Sequence, residues 1–269
     1  MAETDAAAQT ASDYAIVASD LGIKYDLRLK RRRTMRHTVS QIVRGDASGS
    51  LGRDEFWALQ GVTFALRRGE VLAVVGGNGS GKSTLLLTIA NVLRADAGVL
   101  TTYGRSPTLL TLGAGFQQDL TGRENIWLNA AYLGFGRAKT EQHLEAIIDF
   151  SELGQFIEAP VSTYSTGMRA RLGFSIAVHL DPQILLLDEV LGVGDPSFKR
   201  KSRKKMDDLM ERADAIVVVS HSVRFVNDVA TKVLWLDRGR LRAFGEPEEI
   251  MAEYVEASKQ TRKPMKTAA

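Results

Sequence analysis

One short passage limits the folds open to this chain more than any other: VLAVVGGNGSGKST, residues 71–84. The apolar run VLAVV predicts a strand buried on both faces, as in a parallel sheet covered by helices. It leads directly into Gly76, Gly77, Asn78, Gly79, Ser80, Gly81, Lys82, Ser83 and Thr84, which fit G-x-x-x-x-G-K-[ST]. A helix is expected over 84–92. Glycines at this spacing let successive backbone N–H groups turn inward as an anion nest, and the helix adds the positive end of its dipole. In such a loop Lys82 reaches the β- and γ-phosphates, and the Ser83 hydroxyl ligates Mg2+. A chance glycine-rich turn is the alternative, and the strand before it with the helix after it argues against that.

The second half of the chemistry lies about 100 residues on. ILLLDE reads as a buried strand ending in Asp188, at the carboxyl edge of the sheet beside the phosphate loop, where open α/β sheets bind ligands. Asp188 is expected to hold Mg2+ through its water shell, and Glu189 to orient or deprotonate the attacking water. An apolar strand ending in Asp-Glu is common alone; paired with the phosphate loop it predicts a Mg-ATP site.

The chain has 269 residues, enough for one α/β domain with an inserted subdomain. Its net charge of +3 gives no argument for nucleic acid as a partner. The absence of cysteine excludes disulfides, Cys-based zinc sites and thiol chemistry. The N-terminus lacks a basic and apolar leader, and no apolar run approaches membrane-spanning length. The expectation is a cytoplasmic protein whose membrane role comes through a partner or a surface helix.

Along the chain, residues 1–12 are expected to be disordered, and AIVASDLGIKY to be a first strand. A basic stretch follows at 27–50; RLKRRRTMR within it holds six basic residues and no acid. WALQGVTFAL alternates as a strand. Residues of about 122–160 have helical periodicity and interrupt the strand–helix alternation, which suggests an inserted helical subdomain at about 116–164. A helix at 165–180, a basic helix at 197–212, the strand AIVVVS, a short helix and the hairpin KVLWLDRGRLRAFG complete a domain over 13–250. Residues 251–269 are expected to be a tail.

The order GGNGSGKST, YSTGMRARLGFSIA, ILLLDE, GVGD and SHS resembles an ABC-type nucleotide-binding domain over essentially residues 14–245. The resemblance implies an α/β P-loop NTPase domain with an inserted helical subdomain and an N-terminal antiparallel β part. It places Ser165, Thr166, Gly167 and Met168 in the signature element usually written LSGGQ, which contacts the γ-phosphate of an ATP held by the other subunit. It also implies a D-loop at 192–195 ending in Asp195, and a γ-phosphate-sensing switch histidine at His221. Ser165 supplies a hydroxyl and a good N-cap, Gly167 a bare backbone, and the following helix a dipole. Thr166 and Met168 replace the usual second glycine and glutamine, which removes none of these three. Two positions stay open. The Q-loop glutamine falls near Leu112, with Gln117 and Gln118 nearby. The adenine-stacking aromatic is expected at Tyr25, with Trp57 as competitor and a core role for either as the alternative.

LGAGFQQDLTGRENIWLNA, YSTGMRARLGFSIA and LDEVLGVGDPSFKRK further resemble ATPase subunits that export capsular polysaccharide, O-antigen or teichoic acid. That implies a homodimer at the cytoplasmic face of the inner membrane, docked under two copies of an integral permease, with a lipid-linked glycan or polyol polymer as cargo. Some relatives add a C-terminal carbohydrate-binding domain, which this chain is expected to lack. Met35, Val39, Ile42 and Val43 fall on one helical face opposite arginines, so the basic insertion reads as a helix at a membrane surface or against a membrane partner, or as a solvated loop. The resemblance to the exporters implies a helix here near the entry for the lipid carrier. The second cluster, residues 199–205, reads as an exposed helix face. A small-molecule transporter subunit, a soluble ABC-type ATPase and a non-catalytic nucleotide-binding regulator are the rivals. The last is weakened by the presence of Lys82, Asp188, Glu189 and His221.

Overall fold

The computed structural model describes residues 13–26, 55–104, 107–110, 115–180, 182–188, 196–220 and 222–261. The N-terminal segment 1–12, the basic insertion 27–50, Leu112, Glu189, the D-loop with Asp195, and His221 lie outside the described residues.

Two sheets form the α/β body. β1 (Tyr14–Asp26) is the centre of an antiparallel three-stranded sheet, flanked by β2 (Glu55–Arg67) and β4 (Ala97–Thr102). The second sheet has the order β5-β6-β7-β3-β8-β9. Its strands are β3 (Val71–Val75), β5 (Thr108–Leu110), β6 (Ile184–Asp188), β7 (Ala215–Val219), β8 (Lys232–Asp237) and β9 (Arg240–Gly245). All neighbours in it are parallel except the β8–β9 hairpin.

The continuous apolar runs are apolar because both faces are covered, and successive side chains alternate between two cores. Leu72 and Val74 of β3, Ile184 and Leu186 of β6, and Val217 of β7 enter a core shared with the antiparallel sheet and with α1 (Lys82–Ile89). Ala73, Val75, Leu185, Leu187, Ile216 and Val218 enter the opposite core. That core is closed by α4 (Thr166–His179), α5 (Pro196–Arg212), α6 (Val223–Val229) and α7 (Pro247–Thr261).

Between β5 and β6 the described chain is helical: α2 (Gly122–Tyr132), α3 (Arg137–Ser151) and two 3-10 turns, Gly154–Glu158 and Val161–Thr163. These pack with α4 around a third core containing Ile126, Ile147, Leu172 and Ile176. A capping box starts α2: Thr121 Oγ1 accepts from the Glu124 amide at 3.1 Å, and Glu124 Oε2 accepts from the Thr121 amide at 2.8 Å. The Thr121 amide and the Thr121 hydroxyl, the latter at 3.0 Å, both donate to the Glu124 carboxylate and hold it below its usual range.

Three features depart from the sequence reading. The helix after the phosphate loop runs Lys82–Ile89 rather than 84–92, because Gly81 in the left-handed region starts it earlier. β4 and β5 were not anticipated. The chain beyond the hairpin is a helix to Thr261 rather than a tail from 251. Ile250 and Met251 are buried and the Tyr254 ring meets Trp235 edge-on at 5.4 Å. Met251→Ala should therefore cost about 2–5 kcal/mol in urea unfolding, with the exposed Glu253→Ala within roughly 0.5 kcal/mol of the parent.

Candidate nucleotide site

The loop after β3 is built around positions where only glycine fits. Gly76 has φ +150, and a Cβ there would lie 2.3 Å from the Leu236 carbonyl oxygen and 2.6 Å from Ser80 Oγ. Gly81 has φ +102, and its Cβ would lie 2.6 Å from the Ala58 carbonyl oxygen. The loop is pressed between β2 and β8, and its backbone is pinned there: the Gly239 amide donates to the Ser80 carbonyl at 3.0 Å. Gly77, Asn78 and Gly79 stay exposed on the open side.

Lys82 opens α1 and is buried, its ammonium donating to the Gly76 and Gly77 carbonyls at 2.9 Å each. The cation is thus bent back over the loop that its backbone amides line. A glycine loop exposed on its open side, an ammonium and a helix N-terminus together favour an anion with several oxygens. Ser80 Oγ is buried with no hydrogen-bond partner among the described residues, and Ser83 is exposed at the start of α1.

Asp188 ends β6 opposite Val219 of β7, half-exposed. It is not on the strand beside the phosphate loop: β7 lies between β6 and β3. The carboxyl ends of β3, β7 and β6 therefore form one continuous edge. The Ser83 hydroxyl and the Asp188 carboxylate are hard oxygen donors, a set that suits Mg2+ and would be poor for a soft metal.

Tyr25 and Trp57 separate by strand alternation. Tyr25 packs against the core that includes Leu85 and Leu86 of α1 and stacks on Phe56 at 5.7 Å between centroids. Trp57 points to the other side, against Gly22 and under Lys24, whose ammonium is 4.5 Å from the ring centroid. There it lines a depression of about 510 Å³ with Gln60, Ala97 and Arg240, apart from the phosphate loop.

The second element sits on the helical part. Ser165 is the N-cap of α4, its Oγ accepting from the Met168 amide at 3.2 Å. Ser165, Thr166 and Gly167 are exposed, and an added Cβ on Gly167 would meet only Ser165 Oγ, at 3.8 Å. Met168 is half-buried against the third core, which anchors the cap. At the other end of α4, burial pushes His179 below the ordinary imidazole range, with Lys205, His143 and Lys201 adding to the effect. Gln117 and Gln118 are exposed. The backbone around them is gripped by Asn125, a residue whose role the sequence reading missed. Fully buried, it accepts from the Gln117 amide at 2.8 Å and donates to the carbonyls of Gln117, Leu120 and Thr121.

Comparison with known proteins fits this geometry. Residues 59–192 match the ABC transporter family. An O-antigen export system ATP-binding protein from Klebsiella pneumoniae is 43% identical over 203 residues, covering 76% of this chain and 82% of that protein. The chain belongs to the ABC transporter family. A teichoic acids export ATP-binding protein of Lactococcus lactis is 42% identical over 77% of this chain, which spans 44% of that longer protein. Among solved structures, an ATP-binding subunit of an ABC transporter superposes with a TM-score of 0.66 at 20% identity, covering 90% of this chain and 93% of that one. A dimeric ATP-binding cassette in a post-hydrolysis state with ADP and Pi gives 0.62 at 17% identity, covering 86% and 98%. At these identities the structures speak for the fold, which is the ABC-type ATPase fold.

The glycine geometry makes a contrast. Gly76→Ala should destabilise the protein by about 1–3 kcal/mol and weaken nucleotide binding, because the new Cβ collides with a strand carbonyl. Gly77→Ala, with nothing within 4 Å of its Cβ, should melt like the parent. Calorimetric melting with ATP titration reads both.

Proposed function

We propose that this chain is the ATP-hydrolysing subunit of an exporter that moves a lipid-linked polysaccharide of capsule, O-antigen or teichoic acid type across the cytoplasmic membrane. The observation that carries the reading is the division of the site into two elements on different parts of one chain. One is a buried-lysine phosphate cradle; the other is an exposed serine-capped helix. Relatives at 42–43% identity named as export ATP-binding proteins support the cargo class.

In this reading two chains face head to tail. Each ATP lies between residues 76–84 of one protomer and Ser165, Thr166, Gly167 and Met168 of the other. Tyr25 stacks on adenine, since it shares its face of the sheet with α1. Lys82 exchanges its two carbonyl partners for phosphate oxygens. Ser83 and Asp188 would hold Mg2+, which supplies charge neutralisation at the phosphates when bound. Glu189 positions the attacking water, His221 senses the γ-phosphate, and Asp195 lies at the seam.

Only the closed dimer satisfies both sets of phosphate contacts, so ATP binding shifts the population toward closure and hydrolysis releases it. The helical subdomain carries that motion to two copies of an integral permease. Among the described residues no helix is long and apolar enough to cross a membrane, which fits a peripheral subunit that works through such a partner. The basic stretch 27–50 receives the anionic headgroup of the lipid carrier. Nucleic acid has no part in this cycle.

Two measurements test this. Glu189→Gln should bind ATP, hydrolyse it on the order of a hundredfold more slowly and accumulate as a dimer in sedimentation. Purification of the chain from detergent-solubilised membranes should bring down an integral protein and a lipid-linked glycan. Full activity in the variant, or a permease carrying only a small molecule, would contradict the corresponding part of the reading.

A further inference from the structure

Glu152 stands where a glycine is expected. It is the C-cap of α3 with φ +56, in the left-handed region that costs an ordinary residue energy. Its side chain is what glycine would lack. Oε1 accepts from Lys201 Nζ of α5 at 2.8 Å, and Oε2 accepts from Arg171 Nη1 of α4 at 3.3 Å. One carboxylate therefore joins three helices: the end of α3 in the helical part, the serine-capped helix, and the helix that follows Asp195 in the chain.

The surroundings reinforce the junction. Lys201 Nζ also donates to the Phe150 carbonyl at 3.2 Å, near the negative end of α3, and lies 4.4 Å from the Phe150 ring centroid. Arg171 lies over the Phe198 ring at 4.9 Å. Beneath the cations, Phe150 meets Phe198 edge-on at 5.7 Å, and Phe174 meets Phe198 edge-on at 6.1 Å. The Glu152 side chain is 42% exposed, and ion pairs at that exposure add little to stability. Fold stability alone is a poor reason to keep a strained glutamate at this cap.

We infer that Glu152 is a positioning residue, which makes α4 and α5 move as one unit so that the two nucleotide sites of the dimer engage together. The inference rests on the head-to-tail dimer proposed above. There, α4 carries the cap that meets the partner's nucleotide, while α5 is tied through the chain to Asp188 and Asp195, which serve the seam and the protomer's own nucleotide. A joint fixed to both helices lets engagement at one site bias the other. Without the carboxylate, the two helices keep their apolar contact through Phe174 and Phe198 but lose the polar tie that fixes both to the end of α3.

The decisive variant is Glu152→Gly, which removes the carboxylate while easing the backbone. It is made in the full chain carrying Glu189→Gln, with Lys201→Met and Lys201→Arg alongside. Glu152→Gly should melt at the parent's temperature or higher and, as a dilute monomer, bind a fluorescent ATP analogue with the parent's affinity. Its ATP-driven dimer, followed by sedimentation, should be weaker by about tenfold. Lys201→Met should behave likewise, and Lys201→Arg should keep dimerisation. If Glu152→Gly dimerises like the parent, or loses dimerisation only in step with a fall in melting temperature, the coupling role is overturned. Should the parent stay monomeric with ATP, the dimer reading itself fails and the coupling goes with it; a dimerising parent with an unaffected variant overturns the coupling alone.

Discussion

The structure depends on how tightly the phosphate loop is held from behind. The Gly239 amide binds the Ser80 carbonyl at 3.0 Å, and the Gln60 amide binds the Gly239 carbonyl at 2.8 Å. Leu236 and Ala58 place their carbonyls where side chains on Gly76 and Gly81 would otherwise stand. Strands distant in sequence thus meet at one loop, and the antiparallel sheet is a wall of the site as much as an appendage to it. A nest of backbone N–H groups binds anions only if its curvature is set in advance, and this clamp sets it.

The serine-capped helix is supported differently. α4 contributes Phe174, Ala177 and Val178 to the core under the parallel sheet, and Leu172 and Ile176 to the helical core. It is the beam shared by the two parts, so any tilt of the helical part moves the Ser165 cap and is felt by α5 through Phe198. The loop is fixed by backbone clamps and the cap rides on a beam. That division suits a site whose two halves part and rejoin.

Legibility in the sequence followed burial. β3 and β6 were readable to the residue because uninterrupted apolar runs have few alternatives beside a phosphate loop. β4 was not: it flanks β1 at the sheet edge and Val99 is exposed, so it lacks the alternation that marks a strand. α7 was hidden by Gly245 and Pro247, which read as an ending, although Ile250, Met251 and Tyr254 share a helical face. Tyr25 and Trp57 could not be separated until the register showed which side of the sheet each occupies. Asn125 and Glu152 carry no local pattern at all. Asn125 grips the backbone of the irregular turn just before it, at Gln117, Leu120 and Thr121, and Glu152 reaches cations that only the tertiary fold brings near.

The central claim is that one protomer's phosphate loop and the other's serine-capped helix close on the same nucleotide. The chain has no cysteine, so single thiols can be placed without background. Asn78→Cys and Thr166→Cys, both at exposed positions, are prepared as separate proteins and mixed. With ATP and a short bifunctional thiol reagent, the mixture should yield a covalent pair containing one copy of each variant, absent without nucleotide. No mixed product with ATP, together with internal cross-linking in a single chain carrying both substitutions, would contradict the account.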